Sequence, residues 1–126
     1  MHKEQAVEQL KEYSRAKERR PFLEMKLQAL QRRMERYPEK IRATMAVMAR
    51  IEETVKADSM IIEDVESCLE MLDEREKRLL WHFYIHRTYD YIEILNEKLC
   101  VERSQIYRLK DKALEKYMML SLASFY

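Results

Sequence analysis

A chain without glycine has few ways to fold. Here glycine is absent, and proline occurs twice, at Pro21 and Pro38. Tight β-hairpin loops need residues that accept positive φ, glycine above all, so strands would be hard to connect. Glu, Lys, Arg, Leu and Met dominate instead, straight-chain residues that lose little rotamer freedom in a helix. The expected fold class is all-α. The same absence argues against P-loop and dinucleotide-binding loops, in which glycine lets backbone approach phosphate. At 126 residues and 47% apolar content, one core is affordable but hardly two, so one domain plus an extension is expected.

Apolar spacing then divides the chain. Val7, Leu10 and Tyr13 give His2 to Arg20 a weakly amphipathic helix, ended by Arg19, Arg20 and Pro21, that should pack only through a partner. Leu23, Leu27, Leu30, Met34 and Tyr37 follow the a/d spacing of a coiled-coil seam, with Pro21 in the first turn and Pro38 as the stop. So short a seam serves equally as one helix of a bundle. Ile41, Met45, Met48, Ile51 and Val55 mark a third helix, broken at Asp58-Ser59. A fourth buries Ile61, Ile62, Val65, Leu69 and Leu72 and turns Glu63, Asp64, Glu66 and Glu70 outward. Asp73 and Glu76 have capping-box spacing and start a fifth near Glu74. It holds the run Leu79 to Ile85, apolar nearly all round, as in a central helix. The expected domains are 1–57, an N-terminal helical oligomerisation or interaction segment, and 58–126, a helix-turn-helix DNA-binding domain.

From Thr88 to Tyr117 the pattern is that of a helix-turn-helix. Thr88 can cap a helix burying Tyr89, Ile92, Leu95 and Leu99, and a second helix buries Ile106, Leu109, Ala113, Leu114 and Tyr117. Leu99-Cys100-Val101-Glu102 leaves room only for a tight turn. The second helix then exposes Arg103, Ser104, Tyr107, Arg108, Asp111 and Lys112. Arginine can pair with guanine through two bonds, hydroxyls can reach bases or phosphates, and lysine supplies charge. Arg103, Ser104, Gln105, Tyr107 and Arg108 are therefore the expected readers of double-stranded DNA, with Lys110 and Lys112 as positioning charges. The plainer alternative is a solvated helix face.

The stretch Leu72 to Leu120 resembles region 4 of bacterial sigma factors and, more closely, the ArpU/RinA-type phage regulators of late transcription. The resemblance rests on Leu-Asp-Glu-Arg-Glu at its start, the aromatic helix, Tyr-x-x-Ile before the turn, and Arg-Ser-Gln-Ile-Tyr-Arg-Leu followed by Lys-Ala-Leu. It covers about 50 of the 126 residues. It implies promoter-like DNA bound through the second helix, by Arg103, Ser104, Gln105, Tyr107 and Arg108. Two positions depart from the family: Cys100 stands in place of glycine or asparagine, and Glu102 in place of a capping serine or threonine.

Charge and the remaining reactive residues complete the expectations. The net +1 conceals +5 over residues 1–57 and −4 over 58–126. Acid concentrates between Asp58 and Glu76, and base between Lys98 and Lys116, a polarity that would steer DNA to the second helix. Neither a signal peptide nor an 18-residue apolar run is recognisable, and Cys68 and Cys100 read as free buried thiols of a cytoplasmic bacterial-host protein, nucleoid-associated when bound, that does not engage membrane. His82 and His86 share a helix face but lack a third ligand, so neither metal nor cofactor is expected. The acidic helix has no nucleophile or oxyanion donor beside it, and no enzyme activity is expected. Most of the nine methionines fall at core spacing. The apolar C-terminal residues Met118, Met119, Leu120, Leu122, Phe125 and Tyr126, together with the Leu23 to Tyr37 seam, favour a homodimer. Three functions compete. The first is a phage or prophage sequence-specific transcription regulator; the second is a protein-interaction module or inhibitor acting on RNA polymerase, another regulator or a host protein. The third is the small DNA-recognition subunit of a packaging motor.

Overall fold

The computed structural model describes residues 2–121. Among them there are five α-helices and no strand, so the all-α expectation holds. Two long helices, α1 (Lys3–Arg36) and α2 (Ile41–Glu70), are joined by a 3-10 turn at Pro38–Lys40 and pair as an antiparallel hairpin. Then come α3 (Glu74–Leu80), a π-helical turn (Trp81–Ile85), α4 (Tyr91–Leu99) and α5 (Arg103–Leu120), gathered against the base of the hairpin. The seven segments read from the sequence thus merge into five helices, because two expected breaks do not occur.

The first is at Pro21, which lies inside α1. Its missing N–H leaves the Lys17 carbonyl without a helical donor, but Lys17 and Pro21 are both exposed, so water can satisfy that carbonyl and the helix continues. The second is at Asp58-Ser59, in mid-α2. Asp58 is 2% exposed, and its carboxylate accepts two bonds of 2.6 Å from the Arg19 guanidinium across the hairpin. The oxygens that would have capped a new helix are engaged by Arg19 instead.

At α3 the expectation holds in detail. The Glu76 amide donates to Asp73 at 2.8 Å and the Asp73 amide donates to Glu76 at 3.0 Å, the reciprocal pair that starts a helix at Glu74. The apolar run after it is not enclosed on every side. The π turn, closed by the His86 amide on the Trp81 carbonyl at 2.8 Å, turns Phe83 and Ile85 inward and leaves Trp81 42% exposed. The sixth expected helix also starts later. Thr88 donates to the Asp90 carboxylate at 2.7 Å rather than capping, and α4 begins at Tyr91. Tyr89 is accordingly 99% exposed, and Tyr91 takes the inner place, its ring edge-on to Phe83 at 5.1 Å.

The buried cluster joins Ala6, Leu10, Tyr13 and Ala16 of α1 to Ile62, Val65 and Cys68 of α2 and to residues of every later helix, Tyr117 included. The first half of α1 therefore packs within its own chain, where a partner was expected to cover it. Its two alanines, which add little to a hydrophobic pattern, let neighbouring helices come close. The cluster draws on both sides of position 57, the division read from the sequence. Polar bonds fasten the same surfaces: Tyr117 donates to Gln9 at 2.6 Å, Gln9 to Asp64 at 3.1 Å, and Tyr13 to Glu66 at 3.0 Å. Burial pushes both phenol pKa values upward, with the Glu66 carboxylate adding to it at Tyr13. Asp64 and Glu66, read as outward charges, thus serve as inter-helix acceptors.

Beyond Arg19 the hairpin continues as an arm. Leu23, Leu27, Leu30 and Met34 are half-buried by the pairing with α2 and Tyr37 is exposed, so the seam is that of a two-helix hairpin. On α2, Ile51 is buried, Met48 and Val55 are half-buried, and Ile41 and Met45 are exposed. Met119 is exposed and Met118 and Leu120 are half-buried, while Leu122, Phe125 and Tyr126 lie outside the described residues.

Candidate nucleic-acid interface

The candidate surface is built by the turn between α4 and α5. Cys100 closes α4 with φ 55° and ψ 42°, the one non-glycine residue at positive φ among the described residues. In that conformation Cβ crowds the following carbonyl, which is why glycine or asparagine is the usual choice. Two bonds hold the turn: the Cys100 amide donates to the Asn96 carbonyl at 3.0 Å, and the Asn96 side chain donates to the Val101 carbonyl. Leu99 and Val101 pack against the core on either side. Glu102 occupies the N-cap of α5 without a capping bond from its side chain, so no side chain of this residue offsets the exposed amides of the first turn.

Along α5, Ile106, Ala113, Leu114 and Tyr117 are buried and Leu109 is half-buried. That leaves Arg103, Ser104, Gln105, Tyr107, Arg108 and Lys112 exposed, on one continuous outer surface at helical spacing. Arg103 reaches back over the turn to Glu93 at 3.2 Å, both side chains being about two-thirds exposed. Tyr107 stands its ring edge-on to Phe83 at 5.7 Å, which fixes the ring while leaving it 45% exposed. Among the described residues no ion pair engages Arg108 or Lys112.

Lys110 is placed differently from its neighbours. Its side chain is 14% exposed and pairs with Asp111 at 2.8 Å, with the ammonium 5.3 Å from the Phe83 ring centre. Burial opposes its charge, but Asp111 and Tyr84 outweigh that and hold its pKa above the ordinary lysine value. The Lys110 contact correspondingly holds Asp111 below the usual carboxylate range. Lys110 therefore faces the protein, away from the surface that carries Lys112. Asp111 also pairs with Lys3 at 3.2 Å, a cation brought beside α5 from the other end of the chain, with nothing in the local sequence to signal it. A further cation missed by pattern is Arg87, whose guanidinium lies 4.2 Å from the Tyr91 ring centre at the start of α4.

The other candidates are less built. His82 has a buried Nδ1 without a hydrogen-bond partner; burial first, then Lys98, His86 and Arg78, lower its pKa. His86 is exposed, with its ring 6.1 Å from that of Trp81. Among the described residues no three His, Cys, Asp or Glu side chains gather as metal ligands would. Cys68 is buried and Cys100 exposed, both unbridged, so only one thiol is buried where two were expected. Exposure at Cys100 follows from its place on the outer side of the turn.

The molecule is thus an all-α protein whose last two described helices meet at a three-residue turn and present a polar face. Among the described residues no helix is long and apolar enough to cross a membrane. No family model, curated protein or solved structure matches the chain.

Proposed function

We propose that the protein is a sequence-specific DNA-binding regulator of transcription, of the phage or prophage kind that the sequence resembles, acting as a pair of chains and without catalysis. α4 and α5 then form a helix-turn-helix with α5 as the groove-reading helix. The observation that carries this is the left-handed turn at Cys100, which ends α4 and aims the exposed Arg103–Lys112 side of α5 outward. Arg108 and Arg103 are the base readers, the latter on leaving Glu93. Ser104, Gln105 and Tyr107 bond bases or backbone, and Lys112 neutralises phosphate.

Selection of bound duplexes from a random pool, followed by titration of the preferred site at several salt concentrations, tests the reading. Arg108→Ala and Arg103→Ala should each lose about 1 to 3 kcal/mol of discrimination between preferred and altered sites. Lys112→Ala should shallow the logarithmic salt slope by about 0.9. Lys110→Ala should leave that slope unchanged, since its ammonium is held by Asp111. A parent protein that enriches no duplex above non-specific background would overturn the reading. The second reading, a protein-interaction module, draws on the long arm and the uncapped Glu102, and predicts co-purification with a protein target insensitive to both arginine changes.

A further inference from the structure

The arm beyond Arg19 lacks a core of its own. From 21 to 57 only Thr44 and Ile51 are buried, while Phe22, Met25, Tyr37, Ile41, Met45 and Val47 remain exposed. Two helices cannot cover each other's apolar stripes completely; bundles do so by adding helices.

Charge along the same hairpin says what could be added. Residues 41–50 of α2 carry Arg42 and Arg50 and no acid, whereas 51–70 carry seven acids against Lys56 alone. The turn end gathers four further cations, Arg32, Arg33, Arg36 and Lys40, around Tyr37 against two acids, Glu35 and Glu39, and none of the four makes an ion pair among the described residues. On the second half of α2 lies a cleft of about 680 Å3 whose lining includes Met60, Ile61, Glu63, Asp64, Ser67 and Met71. Met60 and Met71 are 65% and 67% exposed there, so the cleft offers apolar surface beside the carboxylates of Glu63 and Asp64. Tip and cleft match in both respects. They cannot meet within one chain, being on the order of 35 Å apart along a straight helix.

We infer that the occupant of this cleft is a second copy of the same chain. The two arms cross antiparallel, and the tip of each, with Ile41, Met45, Arg36 and Arg42, seats in the acidic cleft of the other. Such an interface is isologous: placing Met45 opposite Met60 sets the two-fold axis beside Glu52 and Glu53 and makes the two contacts identical. The inference rests on the two-chain part of the regulator reading, and it needs no DNA for its test. A basic tip could instead serve nucleic acid. However, α5 runs beside α1 in the same direction, Asp111 against Lys3 and Tyr117 against Gln9, which puts the start of α5 at the end of the molecule away from the tip.

Light scattering of the full chain without nucleic acid, at micromolar concentration, should give twice the 15.5 kDa chain mass. Arg42→Glu, and separately Glu63→Lys, which the register places opposite each other, should each weaken the dimer at least about tenfold through like-charge contacts. Mixing the two charge-reversed proteins should restore it, because both tip-to-cleft contacts of the mixed pair are again complementary; that recovery also shows that the variants fold. A monomeric parent, a dimer that neither reversal weakens, or a mixture that stays monomeric would overturn the interface. So would a tip reversal that abolishes duplex binding without changing the mass, which would assign the tip to nucleic acid. Those outcomes leave α5 as DNA reader to be judged by its own titration.

Discussion

Cys100 is the residue at which local preference and tertiary demand conflict most openly. A side chain in the left-handed region costs roughly 1 to 2 kcal/mol, which glycine avoids. Part of that gain is offset by the greater freedom of glycine in the unfolded chain. Cys100→Gly should therefore raise the unfolding free energy by about 0.5 to 1 kcal/mol, read as a higher urea midpoint at unchanged slope; a lower midpoint would mean that the thiol contributes packing. His82 supplies a pH-dependent counterpart. Its folded pKa lies below the ordinary 6.5 because burial disfavours the charged ring, so the unfolded chain binds more protons below neutrality. Its contribution is fully present above pH about 6.5 and is lost as pH falls toward the folded value. His82→Gln should flatten thermal stability across that interval relative to the parent, and an unchanged slope would show that another group controls it.

At the scale of elements, the Arg19–Asp58 pair engages the carboxylate that would otherwise be free to cap a new helix in mid-α2. The Asp58 side chain is 3% exposed while Arg19 keeps 39%, and Asp58 first, then Glu12, raises the arginine pKa. Removing the guanidinium strands a buried carboxylate. Arg19→Met should cost about 2 to 3 kcal/mol, less than for a fully enclosed pair because the arginine reaches water. Adding Asp58→Leu should recover much of the loss, since the unpaired charge and not the missing bond is the main penalty; a double variant no better than the single one would refute this. The pair also shows what periodicity leaves out. Asp-Ser after an apolar stripe is a fair N-cap signal, and Pro21 after two arginines a fair stop. Each was overridden, the first by a side chain 39 residues away and the second by a turn whose Lys17 and Pro21 face water. The Asp73–Glu76 box was legible because both partners sit within one helical turn. So was the outer face of α5, whose apolar positions lie at strict helical spacing. Lys110 could not be told from Lys112, as its pocket is made by Phe83 and Tyr84 of another element.

For the whole molecule, the arm sets the geometry of any paired assembly. In the inferred crossed-arm dimer, with its two-fold axis beside Glu52 and Glu53 and α5 beginning about 12 Å beyond the level of Lys3, the two α5 starts would lie roughly 90 Å apart along straight helices. Duplexes selected by the protein should therefore carry half-sites separated by between two and three turns, not by the single turn of compact helix-turn-helix dimers. Half-sites one turn apart would contradict crossed arms while supporting DNA reading by α5. Local sequence was enough for the all-α class, since a chain without glycine and rich in straight-chain residues favours helix at nearly every position. It also set which side of α5 is apolar, because that depends on spacing within one helix. Long-range packing and solvent contact settle that α1 and α2 run unbroken, that the alanines of α1 belong to the core, and that Lys110 turns inward. Those outcomes depend on partners far along the chain and on which turns face water, neither of which is written in local sequence.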